Sequence, residues 1–368
     1  MKKDGVFNPW EVKGDIDYKK LVKEFGISPM EDLPPLFTKN LLFRRKIVFA
    51  HRDIQRIILA IKDKKPFVMM TGLMPSGKFH IGHMLVAQQM IFYQSIGARI
   101  YIAVADVEAY NTRGLSLDES RKIALNEYIL NYLALGLDPK KADIYFQSSR
   151  SKEAQKSNAY YRLQNLLAKY ITFAEFKAIY GEITPGKMVS ALLQASDMLH
   201  PQLPEFEGPV PVIVPVGTDQ DPHLRLARDI SQRIKSKNFV QLSSSYHLFA
   251  PGLSGGKMSS SDQNSYIALT DSASEVERKI KRYAFSGGRD TLEEHRKKGG
   301  NPDVDVSFQY LKFFFEQDDK KLEKIYNDYK SGKMLTSELK QITIEKINYF
   351  LKEYQRKREQ MRKYLQNF

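Results

Sequence analysis

Apolar and polar positions along the chain follow two regimes. Between about residues 66 and 249, short β-branched or aromatic runs alternate with longer stretches at helical spacing. PFVMMTG (66–72), RIYIAVAD (99–106), ADIYFQ (142–147), PVPVIVPVG (209–217) and FVQLSSSYHLF (239–249) each read as a strand. Helices are predicted from the loop after residue 72 to Gly97, from Ser116 to Gly136, over most of 151–205, and over DPHLRLARDISQRI (221–234). Ser116 and Glu119 have the spacing of a capping box, and Gly136 suits a helix C-terminus. Strands in such alternation with helices predict a Rossmann-like, doubly wound parallel α/β sheet, with ligands expected beyond the C-terminal strand ends.

From about residue 270 the strand pattern stops. SFQYLKFFFE and the stretch from Ser337 to Leu365 are helical in period, with Leu339, Ile342, Ile347, Leu351 and Tyr354 on an apolar stripe. Ahead of the alternating region, a turn near Pro9 and an amphipathic helix from about Asp17 to Gly26 are followed by the linker-like EDLPPLF. The expected organisation is an N-terminal extension (1–62), an α/β catalytic domain (63–268) and an all-helical C-terminal domain (269–368).

At 368 residues the chain has room for two domains. No apolar run approaches the roughly 20 residues that span a bilayer, and MKKDGVFNPW lacks the apolar segment of a secretory signal. These features predict a cytoplasmic protein without membrane association. The chain has no cysteine, which excludes disulfides, cysteine-ligated zinc and a thiol nucleophile. A formal charge of +14 suggests a polyanionic partner. More than half of that excess lies from Arg278 onward.

The chemistry centres on TGLMPSGKFHIGH (71–83). Gly72 to Lys78 fits the phosphate-binding loop of P-loop NTPases, but that loop needs Ser or Thr after its lysine to hold magnesium, and Phe79 stands there. The other half, His80-Ile81-Gly82-His83, has a distant companion in Lys257-Met258-Ser259-Ser260-Ser261, about 175 residues on and just after the last strand. Together these motifs resemble the HIGH and KMSKS signatures of class I aminoacyl-tRNA synthetases. Two histidines at a helix start can donate to phosphate oxygens, and a lysine on a glycine-flanked loop can follow a departing pyrophosphate.

With VADVEAY (104–110) and LLQASD (192–197), the motifs look like the tyrosyl/tryptophanyl subgroup. PWEVKGDIDYKKLVKEFG (9–26), VGTDQDPHLRLARDI (216–230), the stretch 284–311 and KMLTSELK (333–340) are similar to archaeal and eukaryotic tryptophanyl-tRNA synthetases over nearly the whole length. The resemblance implies activation of L-tryptophan by ATP, with magnesium accompanying the ATP, and transfer to tRNA(Trp) by a homodimer. It implies no zinc, haem, flavin or other resident metal. His80, His83 and Lys257 would be catalytic. Gly72, Ser76, Gly82, Gly217, Asp219, Met258, Ser259 and Ser260 would bind ATP, and Met70, Glu108, Gln194 and Gln220 would bind tryptophan.

Relatives usually carry a tyrosine and some a glutamine where this chain has Met70 and Ala103, so another acceptor is expected for the indole N–H. Met70 also argues against tyrosine as substrate. In SGGRD (286–290) a sharp glycine turn is expected to present Arg289 and Asp290 to the anticodon, while Lys281, Arg282 and YQRKREQMRK (354–363) form a solvated basic face with phosphate contacts. The extension is expected to fold over the active site. Three other activities fit parts of the pattern: tyrosine charging, RNA binding without catalysis, and amino-acid-independent ATP hydrolysis.

Overall fold

In the computed structural model the described residues are 26–256, 258, 262–368 and Val22, together with the backbone of Phe7–Asn8 and Glu11–Val12. A seven-stranded sheet organises the first two-thirds. Its strands are β1 (Ser28–Pro29), β2 (Val48–Arg52), β3 (Val68–Leu73), β4 (Arg99–Val104), β5 (Ala142–Phe146), β6 (Val212–Gly217) and β7 (Ser243–His247). They lie in the order β1-β2-β7-β6-β3-β4-β5.

Neighbours from β7 to β5 are parallel, as the helix-separated runs require. The sheet is nonetheless mixed, because β1 and β2 pair antiparallel along its edge. Both come from the segment assigned above to the extension, so residue 62 does not mark a break in the sheet. The five residues of β2 lie between β1 and β7 and carry a register shift between Val48 and Ala50, which blurs the two-residue alternation by which a strand is recognised.

Chain order reverses between β3 and β6. Only Val68 and Met69 pair there, with Val212 and Ile213, so Met70–Leu73 and Val214–Gly217 diverge and leave a crevice at the switch point. Side chains alternate across the sheet. Met69, Ile100, Ile102 and Val104 join one buried cluster; Met70, Tyr101, Ala103 and Val214 join the other. The first cluster continues without interruption into the helical C-terminal region through Leu311, Phe314, Leu339, Ile347 and Tyr354.

Predicted helices appear with their signals. Helix α1 (Met84–Ser95) follows the HIGH loop, and α2 (Asp106–Arg113) starts directly after β4. Helix α3 (Leu117–Ile123) has the Ser116–Glu119 capping box, passes through a π-helical turn at Ala124–Ile129 and continues as α4 (Leu130–Leu135), ending at left-handed Gly136. Helices α5 (Ala154–Leu167) and α6 (Pro185–Leu199) fill most of the helical stretch before β6. Helix α7 (Asp221–Arg233) separates β6 from β7, and beyond residue 270 the described residues hold helices and no strand. The longest, α8 (Thr336–Met361), buries Leu339, Ile347, Leu351 and Tyr354 as predicted. The helix predicted over 17–26 lies outside the described residues apart from Val22 and Gly26.

Candidate active site

A cavity of about 430 Å³ occupies the crevice between the diverging ends of β3 and β6. Met70, Gly72, Ser76, Glu108, Gln194, Gly217, Asp219 and Gln220, drawn from four separate segments, all line it. They come from strand ends, from the turns that follow β3 and β6, and from helices α2 and α6.

Three buried carboxylates, Glu108, Asp197 and Asp219, line the cavity. Glu108 lies on α2, 4% exposed, and the side-chain amide of Gln194 on α6 donates to its Oε2. Burial pushes Glu108 up to about 7, against the pull of that hydrogen bond. Asp197, one helical turn beyond Gln194, also lines the cavity and is 3% exposed. Burial pushes it up to about 6. Three donors work against that shift: the hydroxyls of Tyr145 and Tyr160, each 2.7 Å from Oδ1, and Gln147 Nε2, 2.8 Å from Oδ2.

The loop 71–83 does not have the form of a P-loop. Phe79 is fully buried where a P-loop needs a hydroxyl, and helix begins only at Ile81. His80 Nδ1 accepts from Gly82 N–H at 3.2 Å, and His83 Nδ1 accepts from His80 N–H at 3.1 Å. Burial, with His83 alongside, pushes His80 down to about 2, and burial pushes His83 down to about 4. Both rings are therefore neutral near pH 7. With Nδ1 accepting, each carries its proton on Nε2. The rings lie 3.8 Å apart. They do not line the cavity itself.

Gly82 faces the second motif. A Cβ there would stand 2.9 Å from Met258 Sδ and 3.0 Å from the His80 ring, so only glycine allows the two motifs this approach. The backbone following the KMSSS segment closes on the HIGH loop, with Ile81 N–H donating to Ile267 O at 3.0 Å and Leu269 N–H to Phe79 O at 3.1 Å. Lys257, Ser259 and Ser260 lie outside the described residues.

Asp197 and Gln147 were not singled out by sequence. Asp197 has the i, i+3 spacing to Gln194 that puts both on one face of α6, a signal present in LLQASD. Gln147 has none, because its partners come from α2 and α6.

In the helical region Arg289 and Asp290 are exposed, and Arg289 Nε donates to Gly299 O at 3.0 Å. Neither glycine of the SGGRD loop adopts positive φ. The expected sharp turn is instead a close approach, since a Cβ on Gly287 would overlap Asn301 O at 1.9 Å. The run 354–363 is not wholly solvated either: Tyr354 and Arg358 are buried against α4.

Among the described residues no helix is long and apolar enough to cross a membrane, and no group of three or more potential ligands could hold a metal ion.

The family model described as tRNA synthetases class I (W and Y) matches residues 62–352. The tryptophan–tRNA ligase of Methanocaldococcus jannaschii is 45% identical over 358 residues, covering 96% of this chain and 95% of its own. That of Aeropyrum pernix is 43% identical, covering 95% and 93%. Among solved structures, the tryptophanyl-tRNA synthetase of Aeropyrum pernix superposes with a TM-score of 0.90 at 42% identity, covering 95% of each chain. The Encephalitozoon cuniculi enzyme bound to tryptophan superposes with a TM-score of 0.80 at 30% identity, covering 94% of this chain and 95% of that one.

Proposed function

Because the chain belongs to the class I tRNA synthetases of the tryptophan and tyrosine group, and within it to the tryptophan–tRNA ligases, we propose that its crevice activates L-tryptophan with ATP and passes it to tRNA(Trp). The observation that carries this reading is one cavity at the sheet's switch point, lined by both the tryptophan set and much of the ATP set.

Glu108 and Gln194 receive the ammonium group, with Gln220 at the carboxylate. Burial pushes the Glu108 carboxyl up to about 7, and a tryptophan ammonium beside it favours the charged form. Met70 gives the ring a soft apolar wall. Asp197 supplies the acceptor for the indole N–H that Met70 and Ala103 do not. Its Oδ1 already takes two hydroxyls but its Oδ2 only one amide among the described donors, and each carboxylate oxygen has room for two.

The tryptophan carboxylate then attacks the α-phosphorus, the P–O bond to pyrophosphate breaks, and negative charge grows on the phosphoryl oxygens. His80 and His83, as neutral Nε2–H donors, stabilise that charge without the cost of holding buried cations. Lys257 accompanies the pyrophosphate, and magnesium enters with ATP as part of the substrate.

Residues 269–368 form the anticodon-binding unit, with Arg289 and Asp290 as readers. The backbone of Phe7–Asn8 lies beside Thr218–Gln220 at the cavity wall, which supports an extension that folds over the bound substrates. Exposed Tyr110, Leu117, Leu166, Phe173 and Val189 concentrate apolar surface between residues 110 and 189, which favours a homodimer. The absence of a candidate membrane span among the described residues fits a cytoplasmic enzyme. Tryptophan-dependent ATP–pyrophosphate exchange, run beside tyrosine, tests the reading.

A further inference from the structure

The C-terminal helix α8 reaches back to the nucleotide loop through buried polar contacts that the reaction itself does not use. Arg358, on its last turn, is 8% exposed. Its Nε donates to Asn131 Oδ1 at 2.8 Å and its Nη2 to Asn126 O at 2.7 Å. Tyr354, one turn earlier, donates its hydroxyl to the same Asn131 oxygen, and the Asn131 amide donates to Glu127 O. All of these acceptors lie in or beside the π-helical turn Ala124–Ile129. A π turn is rare and is frequently found at functional sites.

The other side of that turn holds the loop. Tyr128 donates its hydroxyl to Ser76 O at 2.7 Å, and Glu127 Oε2 accepts Phe79 N–H at 3.4 Å. The Tyr128 ring also packs edge-on against Phe79 and His83. A second contact runs in parallel. Gln355 Nε2 donates to Leu269 O and Asp271 O, both at 3.0 Å, while Leu269 N–H holds Phe79 O. One helix of the RNA-facing region thus grips both supports of the residues that lead into His80.

We infer that Arg358 is a positioning residue for the ATP loop: through Asn131, Asn126 and the π turn it fixes Ser76 and Phe79, so that the seating of the helical domain sets the geometry in which ATP binds. The inference rests on reading residues 71–83 as the ATP loop. Arg358 does not line the cavity, and Glu108, proposed to meet the tryptophan ammonium, lies in a different helix. Its loss therefore weakens ATP binding selectively. Movement of α8 when RNA engages the helical domain would reach the loop by the same contacts.

The test is steady-state tryptophan-dependent ATP–pyrophosphate exchange on the full chain, with four variants: Arg358→Met, which keeps the aliphatic packing; Tyr128→Phe, which removes only the hydroxyl on Ser76; the double variant; and Glu353→Gln, exposed on the same helix, as the control. Each of the first two raises KM for ATP roughly tenfold, the size of one lost charge-assisted or buried hydrogen bond. KM for tryptophan stays within about twofold, as do both constants in the control. Because the two residues act in one chain of contacts, the double variant resembles either single one instead of reaching the roughly hundredfold of independent sites. An additive double variant, an unchanged KM for ATP, or a proportional rise in both KM values would overturn the inference while leaving the functional reading intact. Wild-type protein that does not exchange with tryptophan would remove that reading and this inference with it.

Discussion

Gln194 on α6 donates its amide to the buried carboxylate of Glu108 on α2, and on the proposed reading this pair ties tryptophan binding to pH. Burial disfavours the charge on Glu108 and pushes it up to about 7. An ammonium ligand needs the ionised form. KM for tryptophan is therefore expected to rise roughly tenfold between pH 8 and pH 6, following the ionised fraction of a group titrating near 7. Exchange kinetics across that range measure it, and a flat profile would show that Glu108 does not meet the ammonium.

The same shift predicts a stability effect of opposite sense to function. A carboxyl raised from 4.5 in the unfolded chain to about 7 in the folded one favours folding only while protonated, and that contribution is lost as pH climbs from 4.5 through 7. Glu108→Gln removes the penalty. Thermal unfolding should show the variant stabilised at pH 8 by roughly 2–4 kcal/mol, with the advantage fading toward pH 4.5, while tryptophan binding is lost.

On the proposed reading, the Asp197 carboxylate accepts the indole N–H. Asp197→Ala should raise KM for tryptophan about 10- to 100-fold, the range for a buried donor left unpaired. It should also narrow the enzyme's preference for tryptophan over the analogue in which sulfur replaces the ring N–H. A preference unchanged in the variant would move the acceptor elsewhere in the pocket.

His80 and His83 are held neutral by burial, and their Nδ1 contacts leave the proton on Nε2. Replacing either by alanine should slow single-turnover adenylate formation by about 10²–10³, as loss of one transition-state donor does. In the wild type the same rate at saturating substrates should be free of any imidazole inflection between pH 6 and 8. An inflection near 6.5 would mean that one ring works as a cation.

Much of this was legible in the sequence, and what was not has a physical cause. The spacing of Ser116 and Glu119, the β-branched runs of β3 to β6 and the paired motifs at His80 and Lys257 are local signals, so they survive reading along the chain. Strand β2 lacks one: it is short, shifted in register and antiparallel to both its neighbours. Asp197 draws its donors from Tyr145, Gln147 and Tyr160 in two other segments, a convergence that exists only after folding. The SGGRD glycines were assigned to turning, whereas Gly287 is needed for its closeness to Asn301. The π turn at 124–129 has no sequence signature, since its support comes from Arg358, more than two hundred positions away.

The central claim is that this crevice activates tryptophan. ATP–pyrophosphate exchange with tryptophan and tyrosine side by side, on the intact chain and on Lys257→Ala, tests it most directly. The account predicts exchange with tryptophan, little with tyrosine, and loss of the former in the variant. Exchange with tyrosine, or with neither amino acid, would contradict it.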